Sequence, residues 1–424
     1  MRWPLRRRGL PLTPAALWLA GTLALASGLA AVAGAGVPAP GSEPLLAAAE
    51  TATATALGTV EGPGQVDLHG WAAQLRIERV LAGDLVPGST VRIAWEELSR
   101  GLPARFRDGD RILVALEPLP GASLWRQRFP AGDALAVAAR GEAFLRAPDL
   151  VSVETLAAFL ALPAEQRQQT PGVEALTGLV SRAQPPLARA ALARLAEVPG
   201  IDSRISYAAR QQLALAAADP GRPREVRQGV LRLIGERQLR SLRPALELQA
   251  REGSPLRGEA LAALSALDGG LSADRVARLL ESEDPAVRAV AVRNTPGTPA
   301  ERRLARLLRE DPDPRVRAAA VETLLAARGA AAVGPASAAL FDGDAQVREA
   351  AVRGLANLGA AAVPTLEALV ERRVEEEAKA PLAALALAGR PGREALERIA
   401  TSHPDDQVRA LARAMLGREP GPRR

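Results

Sequence analysis

The chain of 424 residues contains no cysteine and only two histidines. The lack of cysteine excludes disulfides, thiolate metal sites and cysteine nucleophiles. His69 and His403 lie far apart and share no helical face, so a two-histidine zinc pattern is missing. Glycine-rich phosphate loops, dinucleotide fingerprints and Gly-x-Ser-x-Gly elbows are missing as well. The sequence therefore predicts no catalytic, cofactor-binding or metal-ligating residue and no cofactor, and we expect the chain not to be an enzyme.

Lysine is almost absent too, because Lys379 is the only one. Arginine thus carries the net charge of +6, and the sequence pI is near 10.8. Such values invite a nucleic-acid interpretation. Beyond the N-terminus, however, the arginines alternate with aspartate and glutamate, which is typical of a mixed-charge, solvated surface. We therefore expect no nucleic acid among the partners.

The first 35 residues have the pattern of an export signal. A positive segment contains Arg2, Arg6, Arg7 and Arg8, and residues 15–33 are apolar and uncharged. Small residues at 31–33 fit a cleavage site, yet the apolar stretch is also long enough to span a bilayer. Residues 1–35 are thus interpreted as a signal peptide or signal anchor. We expect an exported protein, periplasmic or extracellular, or alternatively one anchored in the inner membrane by residues 15–33.

Residues 52–147 have the alternation typical of short strands. Residues 36–51, rich in proline and glycine at their start, are predicted to be a linker. Beyond them, apolar positions alternate around residues 75–80 and 91–95, and a short apolar run covers 112–116. Glycine and proline turns separate these segments, which predicts a small all-β barrel or sandwich with a weak resemblance to the OB fold. The aromatic residues Trp71, Trp95, Phe106, Trp125 and Phe129 are expected in the core, with a ligand groove as the alternative.

A short phrase recurs down the C-terminal half of the chain. It begins at Asp284, Asp313, Asp344 and Asp405, and each copy has valine three residues later and arginine four residues later. The first three valines, at 287, 316 and 347, are about 30 residues apart, and Val408 follows two such intervals later. This period predicts stacked two-helix units. We place the all-α solenoid at residues 152–416, with a disordered tail at 417–424.

Each residue of the phrase has a physical role in this prediction. The aspartate caps the second helix of its unit, proline takes the first helical position, and valine points into the stack. The arginine follows at the same place in every copy. We expect it to reach the capping aspartate or the helix-end carbonyl groups of a neighbouring unit. This predicted structural ladder comprises Asp284, Arg288, Asp313, Arg317, Asp344, Arg348, Asp405 and Arg409.

These phrases resemble the HEAT-like repeats first associated with phycobilisome lyases. The resemblance covers roughly residues 170–416 and is clear from residue 270 onward. It implies an α-solenoid that serves as an interaction module, with the phrase-bearing helices lining the concave face. The implied partner-binding residues are Arg232, Arg293, Arg315, Arg353, Gln346 and Glu349.

The function expected from these features is that of a protein-binding scaffold or adaptor in the cell envelope. Its partner would be a protein or peptide, and a membrane would be contacted only through the possible N-terminal anchor. Two alternatives stay open at this point. One is an enzyme or lyase-related protein that uses the repeats to hold its substrate. The other is a ligand-binding or inhibitory β-domain displayed on a helical stalk.

Overall fold

A computed structural model describes residues 43–66, 69–96, 105–120, 129, 134–295, 301–371 and 375–417. The chain divides into two compact units, Met1–Pro148 and Asp149–Arg424. The predicted signal segment, its possible anchor at 15–33 and residues 418–424 of the predicted tail lie outside the described residues. The two units are a β-domain and a helical array, so the predicted fold class is confirmed.

The first unit is built around a closed barrel. Its strands are β1 (Ala54–Gln65), β2 (Gly70–Ala82), β3 (Thr90–Glu96), β4 (Arg111–Pro118), β5 (Leu135–Val137) and β6 (Phe144–Arg146). The order is β1-β2-β3-β5-β4, β1 also pairs with β4, and β6 adds to β4. All these pairings are antiparallel except the one between β3 and β5. The domain is therefore a five-stranded barrel, and not the sandwich alternative.

Large aromatic rings fill one part of the barrel interior. Trp95 and Phe106 meet edge to face with centroids 4.7 Å apart, and Phe106 meets Phe144 at the same distance. All three side chains are buried, together with Leu75 and Ile112. A barrel of this size needs large side chains to fill its centre. The expectation that aromatic residues form the core is confirmed for Trp95 and Phe106, whereas Trp125 lies outside the described residues.

The predicted linker at 36–51 is wrong over part of its length. Residues Glu43–Ala49 form helix α1, and Leu45 and Leu46 within it are fully or almost fully buried. The helix contacts β4 and β6. The prediction relied on the proline and glycine of residues 36–41, but the segment Leu-Leu-Ala-Ala-Ala that follows favours a helix and has an apolar face to bury.

The second unit is helical. Its helices are α2 (Leu150–Leu160), α3 (Thr170–Arg182), α4 (Pro185–Glu197), α5 (Tyr207–Ala218), α6 (Arg224–Glu236), α7 (Arg243–Gln249), α8 (Arg257–Asp268), α9 (Ala273–Leu279), α10 (Pro285–Arg293), α11 (Glu301–Glu310), α12 (Pro314–Arg328), α13 (Val333–Ser337), α14 (Ala345–Asn357), α15 (Val363–Glu371), α16 (Glu375–Leu387), α17 (Gly389–Ser402) and α18 (Asp406–Leu416). A single helical turn, Ile201–Arg204, precedes α5, and short 3-10 turns join several helices. Asp149 caps helix α2, and its side chain accepts a hydrogen bond from the N–H of Ser152, which is buried.

From α3 onward the helices form successive pairs. The even-numbered helices from α4 to α18 are called the second helices, and each contacts the second helix of the next pair. The valines of the recurring phrase are completely buried between them. Small residues such as Ala319 and Ala351 are buried next to these valines, which lets the helices approach closely. Each pair thus buries its apolar face only by stacking on its neighbours.

One described stretch, Pro314–Phe341, is long and apolar enough to cross a membrane by length and composition alone. In the structure it consists of α12, α13 and the short turns beside them. Val316, Leu324 and Val333 within it are buried in the core of the array. Apolar composition here is that of core helices in a stack.

Candidate partner-binding face

The recurring aspartates fix where four of the second helices begin. The Asp313 carboxylate accepts a hydrogen bond from the backbone N–H of Arg315 at 2.8 Å, and Asp344 accepts one from Gln346 at 2.8 Å. Asp284 and Asp405 make the same bond to Ala286 and Gln407. These bonds satisfy N–H groups that the first helical turn leaves unpaired.

A second acceptor stands two residues before each of these caps. Asp311 accepts from the N–H of Asp313 at 3.0 Å, and Asp342 accepts from the N–H of Asp344 at 2.9 Å. Sequence reasoning missed these residues, although the signal is present as Asp-x-Asp in both copies. Ser282 and His403 take the same place before Asp284 and Asp405.

We call Arg288, Arg317, Arg348 and Arg409, the arginines of the recurring phrase, the arginine column. Arg288 and Arg317 bind this second acceptor and not the capping aspartate. Arg288 donates to both oxygens of Asp311, in the next unit, at 2.9 and 3.0 Å. Arg317 donates to both oxygens of Asp342, again one unit further on, at 2.8 and 2.9 Å. The expectation that the capping aspartate receives the arginine is therefore wrong for these two links, because the side chain reaches the acidic residue that lies deeper in the loop.

The same arginines also bind carbonyl groups of the loop before their own helix. The Arg317 Nη1 donates to the carbonyl oxygens of Asp311 and Pro312 at 2.9 and 3.2 Å. Arg288, Arg348 and Arg409 make equivalent bonds to their own loops. Each arginine of the column thus fixes one loop, and two of them tie that loop to the next unit.

Two further basic residues that fall on the same sequence period, Arg227 and Lys379, make different contacts. Arg227 is buried and donates to the carbonyl of Ala217, while Lys379 pairs with Glu376 on its own helix at 2.5 Å. A lysine has no planar fork of donors with which to repeat the bidentate geometry. The ladder in its full form therefore covers the pairs from α9 to α14.

The titration behaviour of the ladder follows from these contacts. Hydrogen bonds from Arg317 hold the pKa of Asp342 below its ordinary value, and the Asp342 carboxylate raises the pKa of Arg317. Arg288 likewise has a raised pKa because it donates to Asp311. Both links are mostly shielded from water, with side chains 4 to 17% exposed. The Arg317–Asp342 link is charged and ion-paired at neutral pH.

The six residues predicted to bind a partner are all exposed and all lie on second helices. Arg293 lies 3.9 Å from Glu322 on the next second helix, and Arg353 lies 3.6 Å from Glu349 on its own helix. Arg315 donates twice to its own capping Asp313, at 2.9 and 3.0 Å. We name these six residues, Arg232, Arg293, Arg315, Arg353, Gln346 and Glu349, the second-helix face.

A further polar group on the second helices was missed by sequence reasoning. Glu259 of α8 accepts from Gln228 at 2.5 Å and from Arg224 at 3.4 Å, both on α6. These bonds link two adjacent second helices much as Arg293 and Glu322 do. The signal in the sequence was weak, because helix α8 carries no copy of the recurring phrase.

His403 has a structural setting. His403 is buried, its Nδ1 accepts from the N–H of Asp405 at 3.1 Å, and its Nε2 lies 3.1 Å from the carbonyl oxygen of Val370. His403 therefore has a role in capping the last unit. Among the described residues, no group of three or more potential ligands is placed to hold a metal ion.

Comparison with known proteins agrees with this architecture. Residues 300–388 match the family model of HEAT repeats. A search of curated proteins finds no match to this chain.

Solved structures with some similarity include human deoxyhypusine hydroxylase in complex with glycerol, at 22% identity over 58% of this chain and 95% of that chain, with a TM-score of 0.28. The complex of CpcE and CpcF of phycocyanin lyase from Nostoc sp. PCC7120 shows 21% identity over 57% of this chain and 94% of that chain, with a TM-score of 0.31. An engineered protein shows 22% identity over 62% and 84%, with a TM-score of 0.29.

Such TM-scores carry no argument about function. The paired helices, the recurring caps and the matching family model lead to one conclusion: the helical unit of this chain is an array of HEAT-like repeats.

Proposed function

We propose that this chain is an exported protein-binding scaffold of the cell envelope, which holds a protein or peptide partner along the second-helix face. The observation that carries the proposal is the regular presentation of exposed polar side chains from consecutive second helices. The arginine ladder beneath them fixes the loops, so the face is ordered before a partner arrives. A preorganised surface loses less conformational entropy on binding.

The charges of this face favour a partner with mixed polar groups. Three of its four arginines already lie close to carboxylates: Arg293 near Glu322, Arg315 at Asp313 and Arg353 near Glu349. A polyanion would have to displace these acids or suffer their repulsion. An extended peptide with both donors and acceptors fits this arrangement better than nucleic acid does.

The test is affinity capture from the native envelope with the full chain as bait. We expect the double variant Arg293→Glu/Arg353→Glu to lose at least nine tenths of the captured partner, about a tenfold loss of affinity. The matched control is Arg390→Glu/Arg393→Glu on the first helix α17, where both arginines are exposed. Equal capture by both double variants would contradict the proposed site.

The same experiment separates the alternatives. A chain in which residues 43–148 are deleted should still capture the partner if the repeats hold it. Loss of capture on that deletion, with full capture by the double variant, would support a β-domain displayed on a helical stalk. Chemical turnover of a captured small molecule by the intact chain would support the enzyme alternative.

Export has its own test. We expect the protein in the periplasmic or extracellular fraction, or in the inner membrane if residues 15–33 remain attached. Cell fractionation and sequencing of the mature N-terminus measure both points. Recovery of the full-length chain in the cytoplasm would contradict export while leaving the binding proposal intact.

A further inference from the structure

Charged links cross the junctions between most neighbouring helix pairs in the middle of the array. Arg224 of α6 reaches Glu259 of α8, and further along Arg288 and Arg317 reach Asp311 and Asp342. The junction between the pair α7/α8 and the pair α9/α10 is different. Residues 240–295 are all described, and no ion pair within them joins the first of these pairs to the second.

The missing link has a specific cause. At this junction the residue two positions before the cap is Ser282, where the next two units have Asp311 and Asp342. The Ser282 hydroxyl accepts from the N–H of Asp284 at 3.3 Å, but it offers no carboxylate to Arg257. The Nε of Arg257 is consequently buried without an acceptor. Its nearest carboxylate is Glu252 in its own preceding loop, at 3.5 Å.

The hydrophobic core also changes at this place. One continuous cluster of buried side chains runs from α9 to Ala412 in the last helix. Of helix α8 it includes only Leu261, although Leu256, Leu264 and Leu267 of the same segment are buried too. Within this cluster, buried apolar packing crosses the junction through Leu261 of helix α8.

Besides the packing of Leu261 and the attraction between Asp268 and Arg275, the junction contains a close contact between small residues. A Cβ atom added to Gly258 of α8 would come within 2.7 Å of the Cβ of Ala286 before α10's buried valine. Two helices that touch at a glycine and an alanine have no long side chains interlocked at that point. A neutral pair, Ser265 with Asn294, joins the far ends of the two helices. The loop between the pairs contains Gly269 and Gly270, with φ of 72° and 128°.

We propose that this junction is a hinge. The block Thr170–Asp268 and the block Ala273–Leu416 rotate against each other about the contact of Gly258 with Ala286, while each block stays rigid. Hinges of this kind use a few residues at element ends that absorb the change in backbone angles. Arg232 lies in the first block and Arg293, Arg315 and Arg353 lie in the second. The hinge angle therefore sets the spacing between the two parts of the second-helix face, but the hinge itself does not depend on the proposed function.

The absence of cysteine makes the test direct, because spin labels attach only at cysteines that are introduced. Labels at Ala262→Cys and Arg293→Cys span the proposed hinge alone, and labels at Ala326→Cys and Asn357→Cys span the Arg317–Asp342 link alone. All four positions are exposed. In pulsed electron spin resonance on the full chain, we expect the distance distribution across the hinge to be about twice as wide as the other.

Two substitutions, Ser282→Asp and Asp342→Ser, then test whether the carboxylate decides how far each junction can move. Ser282→Asp supplies the missing carboxylate to Arg257 and should narrow the distribution across the hinge, whereas Ser282→Asn, which adds no charge, should leave it wide. Asp342→Ser should widen the distribution between Ala326→Cys and Asn357→Cys. Equal widths for the two pairs in the otherwise unchanged chain would overturn the proposal. So would a cooperatively folded Ser282→Asp chain with an unchanged width.

Discussion

Partly buried arginines of this chain donate hydrogen bonds to carbonyl groups at helix ends. Arg222 donates to the carbonyl oxygens of Val180 and Ala183 at 2.7 and 2.8 Å, and Arg237 donates to that of Val198 at 3.0 Å. A guanidinium has five donors in a rigid plane and remains charged when partly buried. These arginines direct part of the positive charge into the array.

The first prediction concerns a single ladder link. Arg317→Ala removes two bonds to Asp342 and two to loop carbonyls, and leaves the carboxylate largely shielded from water. We expect a loss of about 2 kcal/mol in the free energy of unfolding, since a shielded charge loses its partner. Urea denaturation followed by circular dichroism measures this value.

An exposed arginine provides the control. Arg390 pairs with Glu394 on α17, and its side chain is 90% exposed. Water screens such a pair, so Arg390→Ala should change the unfolding free energy by less than about 0.5 kcal/mol. Similar losses for both variants would show that the ladder contributes no more than a surface ion pair.

The second prediction concerns pH. The pKa of Asp342 is lowered by hydrogen bonds from Arg317, so this carboxylate stabilises the fold above the ordinary aspartate pKa of about 3.9. That contribution is lost as the pH falls through the lowered pKa. The stability difference between the natural chain and Asp342→Asn should therefore be full at neutral pH and shrink below about pH 4. A constant difference down to pH 2 would contradict the assignment of charge to this link.

At the scale of the elements, glycine decides how closely second helices approach. A Cβ at Gly235 of α6 would lie 2.9 Å from the backbone Cα of Ala263 on α8. A Cβ at Gly354 of α14 would instead meet the end of the flexible Leu325 side chain. The first neighbour cannot move without shifting a helix, whereas the second can change rotamer.

These two positions give the third prediction. Gly235→Ala should destabilise the fold by about 1 to 3 kcal/mol through overpacking against a backbone. Gly354→Ala should be nearly neutral, because a gain of roughly 1 kcal/mol in helix propensity offsets the displacement of Leu325. Thermal unfolding of the two variants side by side checks this order. The reverse order would mean that helix spacing is not set at Gly235.

At the scale of the whole molecule, a stack of repeats differs from a globular domain in how far a local loss of stability extends along the chain. Each pair depends mainly on its immediate neighbours, and the core cluster from α9 to α18 is built in successive layers. The loss of an end unit should therefore destabilise the adjacent units, and the effect should disappear within a few units.

Truncation supplies the fourth prediction. A chain that ends at Ala388 lacks α17 and α18 and exposes buried side chains such as Leu366 and Val370. We expect amide hydrogen exchange to accelerate in α15 and α16 while protection in α5 to α8 stays as in the full chain. Loss of protection throughout the helical unit would indicate a single cooperative core instead.

The amino-acid sequence by itself determined the features that rest on local physics. A capping aspartate, a proline at the first helical position and a valine three residues after the cap act within one helical turn, so their recurrence predicted the two-helix units. Strand alternation around Ile93 and the short apolar run that begins at Ile112 likewise predicted a β-domain, because both patterns are properties of a single strand.

Tertiary structure alone decided which residues meet across units and strands. Arg317 has two acidic candidates in the next copy, Asp342 and Asp344, and only the packed geometry selects the first. The barrel closes through a pairing of β1 with β4, which no local pattern specifies. The burial of α1 depends in the same way on an apolar surface that the strands create. Contacts between distant segments arise from the shape of the assembled chain, and for that physical reason the sequence pattern predicts the units but not the bonds that join them.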